Sequence, residues 1–311
     1  MPRDGSPGGS GGPVPPAPMN VGEVADPPFA VLPDPGRLFA ARAARFEALA
    51  PGHHLQPYLE LLGRLSRAQH RVVSLLPPAK LPAEGRLATA LANAMPPISI
   101  GQVELDTVAD AAFTGIVGLL DPAGNEATAA AIATCKATTA EQRRAIMQAV
   151  LLDEIPADAI AAHVLAAAAL QVHFARLAAQ LDAKSLQRVA DGACPACGGA
   201  PVASMVVGWE GAHGTRFCAC SICATQWHAV RIKCLVCSSE KGIAYQSLDG
   251  GSDTIMGETC ESCSSYVKML HQHKDKMLDP VADDVASLAL DLTLQREGWQ
   301  RASVNAFLMG Y

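Results

Sequence analysis

Cys194-Pro195-Ala196-Cys197, Cys220-Ser221-Ile222-Cys223, Cys234-Leu235-Val236-Cys237 and Cys260-Glu261-Ser262-Cys263 are four Cys-x-x-Cys pairs within one stretch of the chain. Twenty-two residues separate Cys197 from Cys220, and 22 again separate Cys237 from Cys260. The stretch is therefore an internal repeat, Cys-x2-Cys-x22-Cys-x2-Cys, read twice. Two residues between cysteines let both sulfurs turn toward one ion while nearby backbone N–H groups donate to them. Two such turns at the ends of a hairpin complete a tetrahedron. The expectation is two metal ions, one on Cys194, Cys197, Cys220 and Cys223 and one on Cys234, Cys237, Cys260 and Cys263. Pairing crossed between the halves is the alternative.

Closed four-sulfur sites leave no open coordination position, which argues against hydrolytic metal catalysis. Tetrahedral sulfur suits zinc and rubredoxin-like iron equally, so the spacing leaves open a structural, a redox or a sensing role. Such sites contribute roughly 10–16 kcal/mol per ion at neutral pH, and the segment is expected to unfold without them. A thiol–disulfide catalyst would present one such pair in a thioredoxin-like context, not four at repeated spacing. Cys218 is a spare thiol, read as a surface neighbour or alternative ligand, and Cys135 as a core residue. His213, His228, His271 and His273 are read as solvated or packing groups, as are His53, His54, His70, His163 and His173.

Between the cysteines, Val202–Val207, Arg216–Cys218, Trp227–Ile232 and Ile243–Ser247 are β-favouring runs separated by Gly- and Cys-rich turns. Upstream the texture changes at Asp191-Gly192. Helices are expected from Asp34-Pro35 to Leu49, over Leu55–Leu76, near Glu84–Met95, Val103–Leu120, Ala127–Cys135 and Thr139–Leu152, and over Pro156–Leu181, where Leu170, Phe174, Leu177 and Leu181 share a face. Downstream, Leu278, Val281, Val285, Leu288 and Leu292 form one stripe of a helix expected over Pro280–Arg296, with Asp283 and Asp284 in its first turn. The fold class is α+β: an all-helical N-terminal domain, then two tandem zinc-ribbon or rubredoxin-like modules and a C-terminal helix. The expected divisions are a Pro/Gly-rich disordered tail over 1–33, helices over 34–188, metal modules over 189–275, and helix and tail over 276–311.

The 311 residues are half hydrophobic and 17% charged, with a net charge of −6. No run of about 18 uninterrupted apolar residues is present, so no transmembrane helix is expected. The N-terminus lacks the apolar core of a secretory signal, which points to the cytoplasm. An acidic balance speaks against nucleic acid as a partner. Ten cysteines in a reducing compartment indicate metal or redox chemistry rather than a disulfide framework.

The cysteine block and its flanks resemble the FdhE family of formate dehydrogenase accessory proteins. The likeness is carried by Cys194-Pro195-Ala196-Cys197-Gly198, Pro201-Val202, Arg216-Phe217, Trp227-His228, Arg231-Ile232-Lys233-Cys234, Glu258-Thr259-Cys260 and Tyr266-Val267-Lys268. It continues through Val281-Ala282-Asp283-Asp284, Ala286-Ser287-Leu288, Glu297-Gly298, Ser303-Val304-Asn305 and Phe307-Leu308. In the helical part it is looser, at Arg42 to Leu49, Tyr58-Leu59 and Ala68-Gln69. The resemblance implies a cytoplasmic, non-enzymatic factor that binds iron and contacts the catalytic subunit of formate dehydrogenase before export. Cys237 is followed by Ser238 rather than glycine, which marks a less regular turn there.

Three functions follow for weighing. The first is an assembly factor using the cysteines and a surface around Trp227, His228, Arg231 and Lys233, a Trp–Arg grouping typical of hot spots. The opposing reading packs Trp227 against a metal turn and sets the cations against thiolate charge. The second is a nucleic-acid-binding zinc ribbon, and the third a rubredoxin-like electron carrier. No catalytic constellation is present in the helical part, where pairs such as Asp153-Glu154 read as solvated or capping groups.

Overall fold

Asp34 opens the first helix because its carboxylate accepts the Gly36 N–H at 3.0 Å, and Pro35 supplies the first-turn backbone angle. The computed structural model describes residues 27–248 and 250–310. Helix α1 (Pro35–Leu49) packs antiparallel on α2 (Gln56–Leu75), whose buried Leu59, Leu62, Leu65 and Val72 recur at helical spacing. Helices α3 (Glu84–Ala92), α4 (Thr107–Leu119), α5 (Glu126–Lys136) and α6 (Ala140–Leu152) follow. Asp106 caps α4, and Thr139 with Gln142 forms a reciprocal capping box on α6.

Helix α7 (Ile160–Ala178) is the axis of this bundle and contacts α1, α2, α4, α5 and α6. It is shorter than expected at both ends, with residues 156–159 forming a turn. By length and composition alone it could cross a membrane, yet 72% of its apolar window is buried inside the bundle. Its polar Gln171 is fully engaged. The amide oxygen accepts from Arg42 Nη1 (3.2 Å) and Gln69 Nε2 (3.1 Å), and the amide nitrogen donates to the Ser221 carbonyl at 2.9 Å. One side chain thus ties three helices' worth of polar atoms to the cysteine region.

Among the described residues, eight strands form one sheet: β1 (Ala30–Val31), β2 (Pro201–Val206), β3 (Arg216–Cys220), β4 (Gln226–His228), β5 (Ile243–Gln246), β6 (Ile255–Cys260), β7 (Ser265–Leu270) and β8 (Gln300–Arg301). Their order is β1-β4-β3-β2-β7-β6-β5. Neighbours are antiparallel except β2 with β7, and β8 shares the β2 edge of β7 in a second parallel pairing. The last residues of the expected disordered segment are therefore corrected: Ala30 pairs with Trp227, and the Phe29 carbonyl accepts the His228 N–H at 2.8 Å. Residues 1–26 of that segment lie outside the described residues.

Two further corrections have local causes. The run expected to continue to Ile232 leaves the sheet after His228, because Arg216 Nη1 donates to the carbonyls of Val230 and Lys233 and draws that chain into a loop. The expected C-terminal helix is two helices, α8 (Ala282–Ala286) and α9 (Leu288–Arg296). At the break, Lys268 Nζ donates to the carbonyls of Asp284 (2.7 Å) and Ser287 (3.1 Å), and the Ser287 hydroxyl donates to Asp283 O. Carbonyls turned to a lysine are lost to the helical ladder.

That lysine belongs to a buried ionic cluster. Lys268 lies 2.5 Å from Asp291 and 3.2 Å from Asp284, Arg301 bridges the same two carboxylates, and Asn305 donates to Asp284. Burial raises the Asp284 carboxyl, but Lys268 and Arg301 outweigh it and hold the group below its ordinary value. The chain's last segment then returns to the helices, where the Phe307 carbonyl accepts the Tyr58 hydroxyl and its ring meets Phe46.

Candidate metal centre

Each Cys-x-x-Cys pair forms the same turn. In the first, the Gly198 N–H donates to Cys194 O (2.8 Å) and the Cys194 N–H to Gly199 O (2.9 Å). In the third, Ser238 and Ser239 make the matching bonds with Cys234 at 3.1 and 2.9 Å. The residue after the second cysteine is left-handed in all four: Gly198 at φ 78°, Ala224 at 59°, Ser238 at 60° and Ser264 at 53°. The Ser238 turn, expected to be less regular, follows the same path as its glycine counterpart. N–H groups of Gly199, Cys223 and Val236 point at the sulfurs of Cys197, Cys220 and Cys234, each at 3.4 Å.

These turns bring the sulfurs into two groups, Cys194/Cys197/Cys220/Cys223 and Cys234/Cys237/Cys260/Cys263, with all ligand atoms of a group within 4.8 Å of one another. Sequence neighbours pair, not crossed halves. Sulfur separations are 3.5 Å (Cys194–Cys223) and 3.4 Å (Cys197–Cys220) in the first group, and 3.6 Å (Cys234–Cys263) and 3.7 Å (Cys237–Cys260) in the second. A metal–sulfur bond of about 2.3 Å gives a tetrahedron with an edge of about 3.8 Å, so the spacing fits an ion rather than disulfides. The two sets could hold two metal ions, and the donor set fits zinc or iron alike.

Within each set the thiols divide: Cys194, Cys197, Cys237 and Cys260 are held above their ordinary value, and Cys220 and Cys234 below it. Burial pushes the Cys220 thiol up, yet donation from its three partner cysteines and from the Cys223 N–H brings it well below its ordinary value. At Cys234 burial is again outweighed, here by the N–H groups of Cys237 and Val236 and by partner thiols, and the group falls to about 7. The first set is wholly buried, whereas Cys237 is exposed and Cys263 half-buried in the second.

Elements from both halves of the chain build the first site. The segment after α3 laces onto its first turn, with the Ile98 N–H on Ala196 O (3.0 Å) and the Ile100 N–H on Cys197 O (2.9 Å). Gln171 holds the second turn at Ser221. The second site is seated on the ends of β6 and β7, and Asp191 anchors it. The Asp191 carboxylate accepts from Ser238 Oγ and pairs with Lys233, both at 2.7 Å, while its carbonyl accepts the Trp227 indole N–H at 3.4 Å. Next to it, a Cβ on Gly192 would stand 2.6 Å from Leu235 O, so only glycine allows that approach. Asp191-Gly192, where the sequence texture changes, thus also seats the second site.

Three matches of the chain to domain models cover most of its length: FdhE N-terminal over residues 27–191, FdhE central domain over 193–231 and FdhE C-terminal domain over 232–308. The chain belongs to the FdhE family. It is 45% identical over 305 residues to a protein FdhE homolog of Rhizobium meliloti, spanning 96% of this chain and 99% of that one. A Pseudomonas putida protein FdhE homolog is 34% identical, over 91% of this chain and 90% of its own, and an Escherichia coli protein FdhE 31%, over 87% and 88%. The crystal structure of the FdhE protein from Pseudomonas aeruginosa superposes with a TM-score of 0.82 at 32% identity, covering 91% of this chain and 99% of that one.

The boundary between the central and C-terminal FdhE models falls between Arg231 and Ile232, so each of these models carries one four-cysteine set. Several residues that carry the FdhE resemblance are internal ties. Arg216 pairs with Glu258 at 2.7 Å, with both side chains buried, and Arg45 pairs with Asp283 at 2.7 Å. Trp227 is a correction to the expected exposed surface: it is 2% exposed and packed beneath the sheet. Lys233 pairs with Asp191, and Arg231 remains exposed. Cys218 is likewise neither a surface thiol nor part of a set. It is buried behind the sheet beside Ser204, and burial pushes it up to about 11. None of His213, His228, His271 and His273 joins a cysteine set.

Proposed function

We propose that the protein is a cytoplasmic, non-enzymatic accessory factor for formation of active formate dehydrogenase, and that it contacts the dehydrogenase's catalytic subunit. The eight cysteines Cys194, Cys197, Cys220, Cys223, Cys234, Cys237, Cys260 and Cys263 are the ligands of its two ions. The reading rests on one observation above all: the FdhE likeness runs through helices, both cysteine sets and the C-terminal segment together, not through the cysteines alone. Two closed sulfur tetrahedra supply rigidity rather than an open Lewis acid. The contact surface is centred on the second site, where Val230, Ile232, Val236 and Tyr245 are exposed beside Arg231. That apolar grouping takes the place of the Trp227 surface.

The test is complementation. In a strain deleted for its own FdhE-family gene, this chain should restore formate-dependent dye reduction, and the tagged chain should retain the catalytic subunit on affinity resin. Full dehydrogenase activity in the uncomplemented strain, or no retention of the subunit, would sink the proposal. An electron-carrier reading is favoured by one feature, the exposed Cys237 sulfur. An iron-loaded protein with no reversible one-electron couple would eliminate it.

A further inference from the structure

We propose that the two four-cysteine sites have divided roles: the second is a metal-exchange site opened through Cys237, and the first keeps its ion for the lifetime of the fold. The inference rests on the reading that both sets bind metal. It starts from what covers each set.

Around the first, every cysteine is 2% exposed or less. The Ile98 and Ile100 N–H groups bridge the helical region to Ala196 and Cys197, and Gln171 bridges it to Ser221. Pro96 lies against Gly198, so close that a Cβ there would meet Pro96 Cγ at 3.2 Å. An acceptor reaching these sulfurs has to part helices from sheet through a continuous apolar core that includes Cys194, Cys197, Cys220 and Cys223.

Around the second, in contrast to the first, no helix among the described residues donates a hydrogen bond to the turns. Its first turn is held at the base by Cys234, which is 4% exposed, and by the Asp191 bond to Ser238. Its tip is open: Val236 is 56% exposed and Cys237 is exposed. Cys263 is half-buried, with the Ser265 hydroxyl 3.0 Å from its sulfur. Access therefore falls in the order Cys237, Cys263, then the buried pair Cys234 and Cys260.

The chemistry is associative ligand exchange, and it needs no electron transfer. A soft donor on the acceptor, a thiolate or an imidazole, forms a bond to the ion as the ion's bond to Cys237 Sγ breaks. The Cys237 thiolate so released takes a proton from water. Repetition at Cys263, Cys260 and Cys234 passes the ion to the acceptor and leaves four thiols. The acceptor class is accordingly a soft metal chelator or a cysteine- or histidine-bearing metal site. An exposed thiolate is also the one open to alkylation.

The test uses the full chain loaded with two zinc ions and 4-(2-pyridylazo)resorcinol as acceptor. One equivalent should leave at least ten times faster than the other. Brief treatment of the loaded protein with N-ethylmaleimide, followed by peptide mass mapping, should label Cys237 first. Cys237→Ser should carry one zinc that leaves at the unchanged slow rate. Release of both ions at one rate would overturn the division of roles, as would early labelling of Cys194, Cys197, Cys220 or Cys223. Loss of the slow phase in the variant would do the same. A chain that takes up fewer than two zincs would overturn the two-site reading along with the inference, so the two failures are told apart by stoichiometry.

Discussion

The residues just after each cysteine pair carry a conformational cost that only one of them avoids. Left-handed backbone is strained for a residue with a Cβ by roughly 1–2 kcal/mol, and Ala224, Ser238 and Ser264 accept it because the metal turn requires it. Ala224→Gly should therefore raise the urea-unfolding free energy of the metal-loaded protein by about 1 kcal/mol after the added chain entropy of glycine. Gly198→Ala should lower it by roughly 1–2 kcal/mol, since the added Cβ meets Pro96 as well. Shifts of opposite sign, the larger at Gly198, are expected; no change at either position would refute the strain argument. Asp283 makes a second case. Burial pushes its carboxyl up against the pull of Arg45, to about 6. Because the folded value lies above the ordinary 3.8, this group's favourable contribution is complete below about 3.8 and is lost as pH rises through about 6. Carbon-detected NMR of the Asp283 carboxyl should give a midpoint near 6, and a midpoint below 4 would reject it. None of this was legible in the sequence. Asp283 reads there only as a first-turn acid, whereas its side chain is buried and paired with Arg45.

At the scale of elements, the spacing of cysteines and the apolar period were enough to locate most helices and the paired turns. They failed where polar groups replace the pattern. Strands β6 and β7 carry Glu258 and Lys268 inside the fold, so neither reads as an alternation of apolar and polar residues. The last helix has the opposite problem. Its stripe of Leu278, Val281, Val285, Leu288 and Leu292 is continuous in sequence, but the break at Ser287 turns α9 so that Leu290 and Leu294 are buried and Leu292 is 40% exposed. Lys268→Met tests the cause. Removing Lys268 leaves two buried carboxylates sharing Arg301 alone, and should cost about 3–5 kcal/mol in urea unfolding. A loss under about 1 kcal/mol would mean that Arg301, not Lys268, balances Asp284 and Asp291.

For the whole molecule, the consequence is that helices and metal turns share one interior. The apolar core runs from Phe39 and Leu59 through Leu170 and Phe174 to the first cysteine set without interruption. Stripping the second ion should leave the helical circular dichroism and its thermal transition nearly in place. Stripping both should broaden or abolish that transition, because the helical face against Cys197 and Ser221 loses its floor. Retention of a sharp helical transition in fully metal-free protein would show the bundle to be independent. The sequence fell short here for a simple reason: cysteine spacing defines each site locally, but contacts such as Ile98 with Ala196 join residues about a hundred positions apart and leave no periodic trace. The pairing of β1 with β4 has a further meaning in time. At about 5–20 residues per second, Trp227 is translated roughly 10–40 s after Ala30, its partner in the sheet. For that interval the growing chain has its first strand and no edge to join. Strand β1 is thus made early and seated late, and its sheet pairing closes only once Gln226 and Trp227 have been made.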